Sequence, residues 1–157
     1  MPTVLVVDDA ADLRFLFRAV LSRAGFDVVE ASSGREVLAM LDQDPVPDVV
    51  LLDVQMPDMD GWDTLTAIRA RVDTHELPVI LCTVKASEED VHRGWMLGCD
   101  GYVTKPFDIV ALREEVAAVV SRSAEQRLAV RAVALAAPHD YEIDRTSIRS
   151  IAWTFRP

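Results

Sequence analysis

The 157-residue chain carries a formal net charge of −10, with 50% hydrophobic and 27% charged residues, the balance of a globular domain that can bury its own core. No apolar run approaches the roughly 18 residues of a membrane span, and the acidic balance speaks against general nucleic-acid affinity, which requires a basic face. The opening MPTVLVVDD has neither a basic n-region nor a small-residue cleavage site, so a cytoplasmic protein is expected.

Read in chain order, short β-branched apolar runs alternate with helical spacing. Val4–Val7 predicts a first strand. Leu13, Phe17, Val20, Leu21 and Ala24 then fall on one helical face, closed by Gly25. Val28–Glu30 predicts the second strand, and Ser32 or Ser33 can cap a helix running from about Arg35 to Leu41. Val49–Leu52 follows as third strand, then a helix from Trp62 to Arg69 that places Leu65 and Ile68 on one side. Val79–Leu81 is the fourth strand. The next helix opens at Ser87, with Glu88, Glu89 and Asp90 in its first turn, where acids favour the helix dipole. Tyr102–Val103 is the fifth strand, and a fifth helix begins near Asp108.

Five strands alternating with five helices predict an α/β fold, with a mostly parallel sheet covered on both faces. VLVV and VVLLDV support this, because a strand with one wet face would alternate polar and apolar residues. Cys82 and Cys99 fit no ligand spacing and read as reduced buried thiols.

Residues 1–122 hold 22 acidic and 11 basic side chains, whereas 123–157 hold 4 and 5, which marks the last segment as a different unit. Between Pro106 and Pro138 neither glycine nor proline occurs, so those 31 residues could form one helix of about 46 Å. Within it Leu112, Val116, Val119, Ser123, Gln126, Val130 and Val133 trace a heptad broken at its two polar positions. After Pro138 the sequence reads as a turn and then an alternating segment from Ile151 to Phe155.

In an open α/β sheet the site forms beyond the carboxyl ends of the strands. Here the first strand ends in Asp8-Asp9, the third in Asp53, the fourth in Thr83, and the fifth leads to Lys105. Three clustered carboxylates repel one another, and a hard divalent cation such as Mg²⁺, which prefers oxygen ligands, relieves that repulsion. With it, Asp53 can attack an electrophilic phosphorus, while Lys105 neutralises charge on the equatorial oxygens and Thr83 donates a hydroxyl. Lys105 is one of only two lysines against 14 arginines. A flexible point charge can follow a moving phosphoryl group where a guanidinium fork would demand its own geometry. No residue suggests an organic cofactor.

Four motifs, VLVVDD (4–9), LLDVQMPDMDG (51–61), VILCT (79–83) and GYVTKPF (101–107), occur in an order and spacing that resembles the receiver domain of two-component response regulators, over residues 1–122. The resemblance implies the flavodoxin-like doubly wound sheet of five parallel strands in order 2-1-3-4-5. It implies that Asp53 is the phosphoacceptor and that Asp9 and Asp53 ligate Mg²⁺ directly. Asp8 would then hold the metal through water, and the main-chain carbonyl of Gln55 would supply a further ligand. Thr83 and Tyr102 would be the switch residues, and Lys105 the phosphate-binding lysine before a cis Pro106. A histidine kinase or phosphotransfer protein would donate the phosphoryl group, and the face of the fourth helix, fifth strand and fifth helix would respond. That face, or the extended fifth helix, offers a route to a homodimer.

Each residue alone has a blander reading: Asp8-Asp9 as a helix cap, Asp53 as a turn residue, Lys105 as a solvated charge. Jointly, at four strand ends, they point to chemistry. A metal-dependent aspartyl phosphatase would need a second carboxylate two residues after its nucleophile, where this chain has Gln55. A flavodoxin-like nucleotide binder would need a glycine-rich loop after the first strand, where this chain has acids. Residues 123–157 are too few to build a DNA-binding output domain with its own core, and read either as an extension of the fifth helix with a docking tail or as part of a fragment whose output domain is missing.

Overall fold

The computed structural model describes residues 1–43 and 45–136. Strands and helices alternate as β1 (Thr3–Val7), α1 (Ala11–Arg23), β2 (Asp27–Ala31), α2 (Gly34–Leu41) and β3 (Val49–Leu52). They continue as α3 (Gly61–Ala70), β4 (Val79–Thr83), α4 (Glu88–Met96), β5 (Gly101–Thr104), α5 (Ile109–Ser121) and α6 (Ala124–Ala136). The sheet order is β2-β1-β3-β4-β5 with every pair parallel, the expected doubly wound arrangement.

Side chains alternate across a strand, so each apolar run fills two cores. Val4, Val6, Leu51, Ile80 and Val103 meet Phe17 and Leu21 of α1 and Leu112 and Val116 of α5 on one face. Leu5, Val7, Val50, Leu52 and Leu81 meet Val37 of α2, Leu65 and Ile68 of α3 and Trp95 of α4 on the other. Full burial stabilises each such side chain by about 1.5–3 kcal/mol. Both sides of β1, β3 and β4 are dry, which is why their sequences show no polar alternation. Cys82 and Cys99 are buried free thiols, held far above their ordinary range by burial.

Helix starts follow local capping chemistry. Ser33, Asp60, Ser87 and Asp108 accept the backbone N–H of Glu36, Asp63, Asp90 and Ala111, at 3.1, 2.9, 3.1 and 2.9 Å. Among the described residues no helix is long and apolar enough to cross a membrane.

The single long helix expected between the two prolines does not form. α5 stops at Ser121 because Arg122 is extended (ψ 142°), and α6 then starts afresh. Ser123 Oγ accepts Gln126 N–H at 3.1 Å while Gln126 Oε1 accepts Ser123 N–H at 2.9 Å, a reciprocal capping box. The two polar residues that broke the heptad are thus a helix start, and α6 turns back to pack against α4 instead of prolonging α5. The alternating segment from Ile151 to Phe155 lies outside the described residues.

One buried acid belongs to α5. Glu115 faces Gly101 of β5, where an added Cβ would lie 2.8 Å from Glu115 Oε1. Burial lifts its carboxyl from 4.5 to about 7, against the pull of Arg122. Because the folded state holds this proton more tightly than the unfolded chain, the penalty is absent below pH 4.5, grows as pH rises, and is complete above pH 7. Glu115→Gln is therefore expected to raise stability above pH 7 by about 3 kcal/mol, at about 1.4 kcal/mol per pKa unit. Thermal melts should show that advantage vanishing near pH 4.5.

Candidate functional site

The carboxyl edge of the sheet gathers side chains by extending the strand ladder one residue at a time. Asp8 N–H bonds Ala31 O at 3.2 Å and Asp53 N–H bonds Val7 O at 3.0 Å, so both aspartates continue their strands. Thr83 closes β4, and its carbonyl accepts Lys105 N–H at 2.9 Å. Neighbouring strand ends thereby present Asp8, Asp53, Thr83 and Lys105 to one place.

Asp8 and Asp53 are buried, at 1% and 7% exposure, while Asp9 is exposed. One carboxylate oxygen from each of these three residues lies within 4.8 Å of the others. Lys105 Nζ donates to Asp8 Oδ2 at 2.6 Å and to Asp53 Oδ2 at 3.3 Å. Burial raises the Asp53 carboxyl above its ordinary range; Lys105 opposes this and the Asp8 charge adds to it. Burial alone would lower the Lys105 ammonium, but its hydrogen bond to Asp8 and the two carboxylate charges leave it raised. Three hard oxygen donors converging beside one ammonium are the donor set of a small divalent cation.

The Asp8-Asp9 pair is not a helix cap. The N-cap of α1 is Ala10, which makes no side-chain cap bond, and Asp8 Oδ1 instead accepts Ala10 N–H at 2.9 Å. The aspartates are free of that structural duty.

Gln55 N–H donates to Asp53 Oδ1 at 3.2 Å, orienting the carboxylate. Gly61 opens α3 against the same stretch. Its N–H bonds Val54 O at 2.8 Å, and a Cβ there would lie 2.3 Å from the Asp53 carbonyl oxygen. Only glycine allows this approach.

Thr83 is fully buried, and its Oγ1 accepts Lys85 N–H at 3.2 Å, leaving the hydroxyl proton to donate elsewhere. Tyr102 donates its hydroxyl to Lys85 O, and its ring rests on Gly94 of α4, where a Cβ would come within 2.9 Å of Tyr102 Cε2. Burial holds the Tyr102 phenol well above its usual range, so it remains a neutral donor. The Lys105–Pro106 bond is cis, as expected.

Arg14 escaped the sequence reading. From α1 its guanidinium donates to the Asp8 carbonyl at 2.6 Å and lies 3.4 Å from Glu30 of β2, bracing the loop that carries Asp8 and Asp9. Its spacing from Asp8 resembles that of any solvated helix arginine, so no local signal marks it.

The profile of the response regulator receiver domain family matches residues 4–117. The transcriptional regulatory protein CpxR of Escherichia coli (strain K12) is 42% identical over 123 residues, covering 78% of this chain and 51% of CpxR. The phosphate regulon transcriptional regulatory protein PhoB of Rhizobium meliloti is 33% identical over 149 residues, covering 95% of this chain and 63% of PhoB. The chain thus spans about half to two thirds of the length of these relatives. Among solved structures, the chemotaxis protein CheY4 of Vibrio cholerae superposes with a TM-score of 0.71 at 33% identity, covering 76% of this chain and 98% of CheY4. A response regulator from Chloroflexus aurantiacus reaches 0.74 at 30% identity, covering 78% of this chain and all (100%) of that one.

Proposed function

The chain belongs to the response regulator receiver domain family, and from that membership we propose that it accepts a phosphoryl group on Asp53 from a histidine kinase or phosphotransfer protein. The observation that carries this reading is the convergence of Asp8, Asp9, Asp53 and Lys105 at one sheet edge. Residues 1–122 act as the receiver unit, and α6 (Ala124–Ala136) extends it.

Asp8, Asp9, Asp53 and the main-chain carbonyl of Gln55 would hold Mg²⁺, which when bound neutralises the carboxylates and polarises the phosphoryl oxygens. Asp53 Oδ attacks phosphorus in line, forming an acyl phosphate as the bond to the donor breaks. Lys105, already directed at Asp53, meets the charge on the equatorial oxygens, and the free proton of Thr83 is available to the same group. Self-phosphorylation from small donors and self-dephosphorylation are the only turnover expected. Gln55 sits where a phosphatase of this type would need its acid, which speaks against faster hydrolysis. Phe15, 74% exposed on the helix that follows Asp8 and Asp9, offers an apolar contact to a protein donor.

The read-out runs from Thr83 through Lys85 and Tyr102 to the face of α4, β5 and α5. Incubating the purified chain with acetyl phosphate should add the mass of one phosphoryl group in the presence of Mg²⁺ and none with chelator. Mass gain independent of Mg²⁺ would contradict the reading.

A further inference from the structure

α6 lies outside the stretch matched by the family profile and is fixed to the body by an arginine cluster. Asp100, 2% exposed at the amino edge of the sheet, accepts Val79 N–H and Arg69 Nη2 on one oxygen, both at 2.9 Å. Its other oxygen accepts Arg131 Nη2 at 3.0 Å and lies 3.5 Å from Arg127 Nε. One carboxylate thus faces three guanidiniums. The remaining N–H groups go to carbonyls: Arg127 to Glu76 and Arg122, Arg131 to Gly98 and Cys99. Gly98 lies just beyond the end of α4, where the helix dipole favours cations. Alongside the arginines, Val130, Ala134 and Leu135 of the same helix pack on the core that contains Trp95 and Cys99.

α4 is therefore held by two neighbours. Gly94 rests on the Tyr102 ring, whose hydroxyl is bound to Lys85 O. α6 packs against α4 as well. Asp100, by contrast, is pinned to the start of β4 through Val79.

We propose that α6 is an intramolecular lock on α4, anchored by Arg127 and Arg131 on Asp100, whose hold weakens when Asp53 takes up a phosphoryl group. The idea rests on the phosphoacceptor reading above. Phosphoryl oxygens on Asp53 attract the Thr83 hydroxyl, and the Lys85 peptide, whose N–H rests on that hydroxyl, follows it. Lys85 O carries Tyr102, and Tyr102 carries Gly94, so α4 shifts against the stationary Asp100. α6 grips both partners and cannot keep both contacts. By linkage, loosening α6 strengthens phosphoryl binding by the same factor.

The test uses the full chain with Mg²⁺ and beryllofluoride as the phosphoryl mimic. Hydrogen exchange over 124–136, and tryptic cleavage after Arg127 and Arg131, are measured with and without the mimic, and fluorine NMR records bound mimic in the same samples. Exchange in α6 is expected to accelerate about tenfold, within the usual range of coupling between sites. The Arg127→Ala/Arg131→Ala double variant, which leaves the Arg69–Asp100 pair intact, should exchange fast in both states and bind the mimic several-fold more tightly. Bound mimic with α6 exchange unchanged or slowed would overturn the lock alone, as would a double variant identical to wild type. Absence of any bound mimic would overturn the phosphoacceptor reading and the lock with it.

Discussion

Asp53→Ala is expected to stay unphosphorylated under conditions that label the native chain to completion, a loss of at least about a thousandfold, as found when a nucleophile is deleted. The side chain proposed to form the acyl phosphate is gone, and no other described carboxylate is equally placed. Asp8 is tied up by Lys105 at 2.6 Å, and Asp9 is exposed. The variant should remain folded. Burial and the Asp8 charge raise the Asp53 carboxyl, so its charged form costs folding energy above the ordinary carboxylate range. Removing it lifts that cost at neutral pH, and melting without metal should occur at or above the native temperature. Equal labelling of both proteins by intact mass would refute the assignment.

Lys105→Ala should show the second-largest effect. Its ammonium is the described cation that touches both Asp8 and Asp53, at 2.6 and 3.3 Å. Without it two carboxylates face each other uncompensated, and breaking a buried pair costs about 3–5 kcal/mol, less here because water reaches the edge. Stability without metal is expected to fall by about 1–3 kcal/mol, with Mg²⁺ restoring much of it. Metal does not replace the lysine's contact to the phosphoryl oxygens, so the labelling rate should still fall about a hundredfold, the usual loss on removing one preorganised donor. Lys105→Arg should not rescue the rate, since a planar fork cannot occupy the position of a point charge between Asp8 and Asp53. Denaturant midpoints with and without Mg²⁺ and initial labelling rates check both halves; a rate within a few-fold of native would dismiss the role.

The sheet was legible because its signals are local. An uninterrupted apolar run such as VVLL reports two dry faces, and Ser33, Ser87 and Asp108 bond donors only three residues away. The site was legible for a related reason: in a parallel sheet, strand ends with like polarity necessarily converge. What stayed hidden depends on partners remote in sequence. Arg14 looks like any helix arginine until it meets the Asp8 carbonyl. Asp100 gave no sign that Arg69, Arg127 and Arg131 converge on it, from 31 residues away in two of the three cases. The break between α5 and α6 is a different failure. Ser123 and Gln126 carry a local capping signal, but a heptad reading turned it into an interruption.

The Lys105–Asp8 contact spans 97 residues. Contacts this remote form late, because chain entropy opposes closing so large a loop until the intervening strands have paired. During synthesis, the chain up to Thr104 would hold its acidic residues without the cation that balances them. On the proposed reading, competence for phosphoryl transfer therefore arrives only together with completion of the fold.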